Sequence, residues 1–424
     1  MAVSPRLVEL LRDVSGEILD AQRPIRILRT ISWPDDVERA FFAAKARDLP
    51  RPTYRPSADF AASVERFRAL KARMTGDNEI ERFLRETCDS FATAARMLAA
   101  VGTKDFYYHS VELYGRPASV SGDRKKTNLD LARHFADVVA RFAGPRTDAA
   151  DRATLAAADV APDLERRFRA FFTGHEIRVT LSDAIAAKAV ASSDEVRLKR
   201  SARFSARDLA QLEFHEGHVH VATALNGRAQ PFCPFIGYSS PRTTRTQEGL
   251  AVLTEFLTGS TSLERLSRLS DRSLAIQMAE DGADFIQLYL FFVEHGHDES
   301  AAFDCARRVC RGGLVEGGAP FTKDVCYLDG LLRATNFLRV ALVRGRADLV
   351  HLLFTGKIDI DDVPLFGRLS REGLVRQPTF LPAWARDLSY LTAFMSYSAF
   401  LGECDLGEER RRYEDRVARA EANL

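Results

Sequence analysis

Three of the chain's nine histidines, His215, His218 and His220, fall within six residues, and Glu216 stands directly beside the first. Glu248 follows 28 residues after His220, within Gln247-Glu248-Gly249-Leu250-Ala251. Two imidazoles and a carboxylate are the three protein ligands of a catalytic zinc, which keeps a fourth position for water. A glutamate next to a ligand can take the proton that the metal makes acidic. These residue types point to a zinc hydrolase with one Zn2+ per chain.

The spacing is not that of a standard motif. In H-E-x-x-H the two histidines share a helix face at i and i+4, but here the residue four on from His215 is Val219. A regular helix turns about 100° per residue, so His218 at i+3 falls about 60° from His215 and His220 at i+5 about 140° away. Ideal geometry favours His218. A single π-bulge would carry His220 round to the same face, and such bulges are found mostly at functional sites. Spacing alone leaves both histidines open.

The segment from Phe214 to Leu253 also contains Thr223-Ala224-Leu225-Asn226-Gly227 and Gln230-Pro231. With H-E-x-x-x-H and Q-E-G-L-A, it resembles the bacterial proteins named for a QEGLA motif and for flavohaemoglobin expression. Those share their domain with eukaryotic microtubule-associated tyrosine carboxypeptidases. Thr322-Lys323-Asp324-Val325-Cys326-Tyr327-Leu328-Asp329-Gly330 is similar to a further segment of that family, as is the stretch from Gly102-Thr103 to Tyr114-Gly115. The resemblance spans roughly residues 60 to 400. It implies His215, His220 and Glu248 as zinc ligands, Glu216 as catalytic base, and a peptide or protein C-terminus as substrate, with tyrosine or another aromatic residue released. It leaves His218 on a variable position. A terminal carboxylate needs a cation with donors, and Lys323, Tyr327, Arg242 and Arg245 are the candidates for binding it or for stabilising the oxyanion. The rival reading is a zinc-binding regulatory protein, catalytically weak, that affects gene expression indirectly; such a protein needs the ligands but not Glu216.

The elements that must position these groups read as α+β, mainly α-helical. A gluzincin-like metallopeptidase core with a small β-sheet would be followed by a helical C-terminal part. Three parts are expected: an N-terminal arm over 1–56, a peptidase domain over 57–400 and a charged C-terminal helix over 401–424. The arm holds an amphipathic helix from Leu7 to Asp20 and a proline-rich stretch from Pro50 to Pro56. Helical periodicity from Ala58 to Val101, broken near Thr75-Gly76-Asp77-Asn78, predicts a packed helix pair, with another helix over Thr127–Phe142. Alternation at Ile177, Val179 and Leu181, and again at Val196 and Leu198, predicts two strands, with a helix over Ser182–Val190 between them. Ser205-Ala206-Arg207-Asp208 has the Ser-x-x-acid form of a helix start and would open the metal helix. In gluzincins a strand leading toward that helix offers its edge to the peptide. Glu248 falls in the first turn of a helix over Thr246–Thr258, and a last charged helix runs from Leu406 to Ala420.

Composition excludes more than it assigns. A hydrophobic share of 46%, a charged share of 28% and a net charge of +1 argue against nucleic-acid or membrane binding driven by overall charge. Arg6, Glu9, Arg12 and Asp13 interrupt any secretory apolar core, so a cytoplasmic location is expected. The most apolar run, Phe285 to Val293, is shorter than the ~20 residues of a bilayer span and reads as a buried helix. Six cysteines without C-x-x-C pairing read as reduced thiols. His295-Gly296-His297-Asp298 has metal-site composition but reads as a helix end, and Tyr107, Tyr108 and Tyr114 read as core aromatics.

Overall fold

The computed structural model describes residues 3–54, 58–120, 125–142, 152–183, 185, 188–192, 194–403, 407, 411 and 413–414. Helices dominate and are capped as their sequences dictate. Asn78 accepts from the Glu81 amide at 3.0 Å and opens the helix Glu79–Ala99, which lies against Phe60–Ala72 across the anticipated break. Thr127 and Asp130 form a reciprocal capping box on Asn128–Arg141, and Ser205 with Asp208 does the same for Ala206–Leu212. Each box satisfies two amides that a helix start leaves without partners.

Apolar side chains gather in three clusters. The largest joins Leu11, Val14 and Ile18 of the first helix, Pro5–Ala21, to Phe67, Phe91, Leu250 and Phe366, so the residues expected as an arm contribute to the main core. A second is aromatic, built on Trp33, Phe41, Phe285 and Phe303. The third lies between the sheet and the helix Ala157–Phe171, with Leu164, Phe168, Val196, Leu198 and Val221. Phe285–Glu294 is helical but amphipathic: Phe285, Leu288 and Phe292 are buried while Leu290 is 49% exposed. Among the described residues no helix is long and apolar enough to cross a membrane.

Strands β1 (Leu155–Ala156) and β5 (Arg203–Phe204) pair antiparallel. The larger sheet has the order β2 (Arg178–Ser182), β4 (Glu195–Lys199), β3 (Ala189–Ala191), with β2 parallel and β3 antiparallel to β4. The two strands read from alternation are β2 and β4. The helix expected over Ser182–Val190 is not formed at its end: Val190 pairs with Arg197 in β3, and residues 184, 186 and 187 lie outside the described ones. Alanine favours helix locally, but pairing along β4 satisfies the backbone and sets the ladder instead. The consequence is that β3 is the edge strand that packs beside the metal-type helix.

Two glycines decide how closely two long helices approach. A Cβ on Gly249 would lie 2.0 Å from the carbonyl carbon of Gly330, and one on Gly330 would lie 2.1 Å from the Arg245 oxygen. Helix Thr244–Leu257 and helix Val325–Val343 therefore cross backbone to backbone, which sets Glu248 against the Lys323 end of the second helix. The helix Leu388–Glu403 also packs against Val325–Val343. Of the charged helix expected over Leu406–Ala420, all but Gly407, Arg411, Tyr413 and Glu414 lies outside the described residues.

Candidate metal centre

The helix opened by Ser205 changes its winding at the histidines. Ala206–Leu212 is α-helical, Glu213–Val221 is a nine-residue π-helix, and Ala222–Arg228 is α-helical again. A π-helix hydrogen-bonds at i→i+5, so it stacks His220 over His215. Their rings are 4.9 Å apart at 85°. Glu248 reaches in from Thr244–Leu257, its Oε2 3.7 Å from both His215 Nε2 and His220 Nε2. One ligand atom from each of the three residues lies within 4.8 Å of the others, and among the described residues no other group of His, Cys, Asp and Glu is arranged to hold a metal ion. Gly217 makes room for this helix, since a Cβ there would meet the Phe168 ring at 2.3 Å.

His218 faces away. Its ring stacks on Phe171 at 3.7 Å and meets Phe214 edge-on at 5.1 Å, and neither nitrogen has a hydrogen-bond partner. Burial, with the Arg386 charge adding to it, pushes its pKa down to about 4. His218 is a neutral imidazole in an aromatic slot.

Behind the three converging side chains is a ring of charges that holds them still. His215 Nδ1 is 2.7 Å from Glu255 Oε1, leaving Nε2 toward Glu248. Glu255 is fully buried and gripped by Arg265 through two bonds of 2.9 Å. Lys323 Nζ donates to Glu248 Oε1 at 2.9 Å, so Oε2 is the oxygen turned to the histidines. Burial alone would lower the His215 pKa, but Glu248, Glu255 and Glu216 outweigh it and raise it to about 9. Burial would likewise raise Glu248, yet Lys323, His215 and His220 hold it well below the usual carboxylate range. His220 Nδ1 is buried without a hydrogen-bond partner. Two imidazole nitrogens and one carboxylate oxygen fit the donor set of zinc.

The remaining motif residues are structural ties. The Thr223 hydroxyl lies 2.8 Å from Gln247 Oε1 and 2.7 Å from the Val219 oxygen, bridging the π-helix to the helix of Glu248. Asn226 donates to the Phe354 and Phe380 oxygens and accepts from the Thr379 and Phe380 amides. Gln230 bonds the Thr355 oxygen and the Arg376 amide.

The four residues expected to meet substrate are largely engaged within the chain. Lys323 is bound to Glu248. Arg242 pairs with Asp362 at 2.5 Å and Glu86 at 2.6 Å, and Arg245 pairs with Asp329 at 2.6 Å. Tyr327 is surrounded by cations, with Arg265, Arg272 and Lys323 5.6 to 5.8 Å from its ring centre. Arg308 donates to its hydroxyl at 3.3 Å. His295 bonds the Phe291 oxygen and His297 packs on Phe292, away from the triad. Tyr114 is buried, Tyr107 bonds Glu280 and Tyr108 is exposed. Cys305 and Cys310 are free thiols.

Glu255 and Arg265 are the residues that sequence reading missed. A signal existed: Glu255 lies seven residues after Glu248, two turns on and on the same helix face. Partners that hold a ligating histidine commonly govern metal affinity 10- to 100-fold. In Glu255→Gln protein the zinc Kd is expected to rise about 10- to 100-fold by competition titration. An unchanged Kd would show that Glu255 does not fix the His215 ring.

The fold and site define a mainly helical α+β protein with a π-helical His-Glu centre able to hold a metal ion. Residues 39–403 match the family model described as microtubule-associated tyrosine carboxypeptidase, and the chain belongs to that family. Its domain is carboxypeptidase-like, a class of peptide hydrolase. No curated protein matches the chain. Among solved structures, a protein from Colwellia psychrerythraea described as a putative lipoprotein is similar, with a TM-score of 0.36 and 12% identity over 79% of this chain. The match covers 66% of that protein's length.

Proposed function

We propose that this protein is a zinc-dependent carboxypeptidase that releases the last residue of a peptide or protein, tyrosine or another aromatic residue being the preferred one. The observation that carries the reading is the π-helical pairing of His215 with His220 against one oxygen of Glu248. His215, His220 and Glu248 would hold one zinc per chain. Bound there, zinc would supply Lewis acidity toward a water and the scissile carbonyl.

Glu216 does the proton work in this reading. It neighbours His215 on the π-helix, and its charge acts on His215 and also on Lys357. Its carboxylate takes a proton from the water that attacks the carbonyl carbon. As the C–N bond breaks, the same proton passes to the departing amine nitrogen. The products are a free amino acid and a peptide one residue shorter. The edge of β3 beside the π-helix suits an extended peptide, which can add to it by backbone hydrogen bonds.

The test is mass spectrometry of pooled N-acetylated pentapeptides after incubation with the protein, with a chelator, and with zinc restored. Loss of one C-terminal residue, stopped by the chelator and recovered with zinc, is the expected result. Cleavage that continues in chelator, or no release of a terminal residue, would overturn the reading.

A further inference from the structure

A peptide presented to the metal centre by its C-terminus brings a full negative charge beside buried side chains, and that charge needs a partner. Lys323, Arg242 and Arg245 already have carboxylates of their own. Lys357 is different. Its Nζ donates to Ser239 Oγ at 3.1 Å, and no carboxylate of the described residues lies within ion-pair distance of it. Burial draws its pKa down to about 8 even though the charges of Glu216 and Glu248 act to raise it. The ammonium is paired with neither metal-site carboxylate, though the charges of both act on it.

Its place is set from several sides. The Lys357 amide donates to the Ile236 oxygen at 2.6 Å. Gly356 lets the Ile236 side chain close on the turn, where a Cβ would meet it at 2.5 Å. Asn226 and Gln230 hold the preceding carbonyls of Phe354 and Thr355, and both lie on or just after the α-helix that continues the metal-type helix. The segment bearing Lys357 is thus tied directly to the helix of His215 and His220. Because Ser239 Oγ accepts from Lys357, its hydroxyl proton is free to donate. Arg228, stacked on Tyr238 at 5.0 Å, adds charge of the same sign.

We propose that Lys357, with the Ser239 hydroxyl beside it, binds the terminal carboxylate of the substrate. The inference rests on the carboxypeptidase reading, but binding can be measured apart from hydrolysis. Immobilised, zinc-incubated Glu216→Gln protein is offered two pools of N-acetylated pentapeptides, one of free acids and one of C-terminal amides, and retention is counted by mass spectrometry. Free acids are expected to be retained about 10- to 100-fold more than amides, the range of a charge-assisted hydrogen bond. Lys357→Met on the same background is expected to abolish the preference, and Lys357→Arg to keep it. Equal retention of the two pools, or none, overturns the proposal, as does a preference that survives in Lys357→Met. A preference that depends on Lys357, found alongside no cleavage by the wild type, would sink the peptidase reading and leave the carboxylate subsite standing.

Discussion

Wild-type protein is expected to purify with one zinc per chain and His220→Ala and Glu248→Ala proteins without it, while His218→Ala keeps it. Each of the first two changes removes one of three converging donors, and Oε2 of Glu248 is the atom that meets both imidazoles. The loss should exceed the 10- to 100-fold expected of an outer partner such as Glu255. His218→Ala is the control: its ring packs on Phe171 and Phe214, so its removal opens a cavity without touching the donors. Metal analysis with a melting curve for each variant makes the comparison. Zinc lost with His218, or kept without His220, would mean that the π-helical pair is not the ligand pair.

Glu216→Gln protein is expected to bind zinc normally and to lose about 10²- to 10⁴-fold in kcat/KM, the usual contribution of a positioned acid–base group. Glutamine keeps the shape of the side chain but cannot take a proton from water. The comparison also separates the peptidase from a regulator that needs only the metal. A variant that binds zinc and loses its cellular effect supports the enzyme; a variant that keeps the effect favours the regulatory reading.

The motif glycines show why some residues are legible as a pattern but not as a mechanism. Gly249 within Q-E-G-L-A and Gly330 within the Thr322–Gly330 segment stand out only as members of their motifs, 81 residues apart in the chain. In the fold they are one contact, because neither helix could approach the other with a Cβ in place. Gln247 and Thr223 are likewise one hydrogen bond. The same holds for Lys323, which suggested a substrate cation and stands on Glu248 instead.

Residue types, capping boxes and apolar periodicity by themselves determined a mainly helical protein with a small sheet, the start of the metal-type helix at Ser205, and a short roster of metal-capable side chains. These are local properties, carried by neighbours in the chain. Which histidine faces His215 could not be settled that way, since a regular helix brings His218 closer and a π-turn brings His220. Tertiary packing decided it. Phe171 and Phe214 take up the His218 ring, Phe168 closes on Gly217, and Thr223 ties the helix to Gln247. The wider winding is held by contacts from two other stretches of chain, the helices Ala157–Phe171 and Thr244–Leu257, and no window of sequence around the histidines contains either.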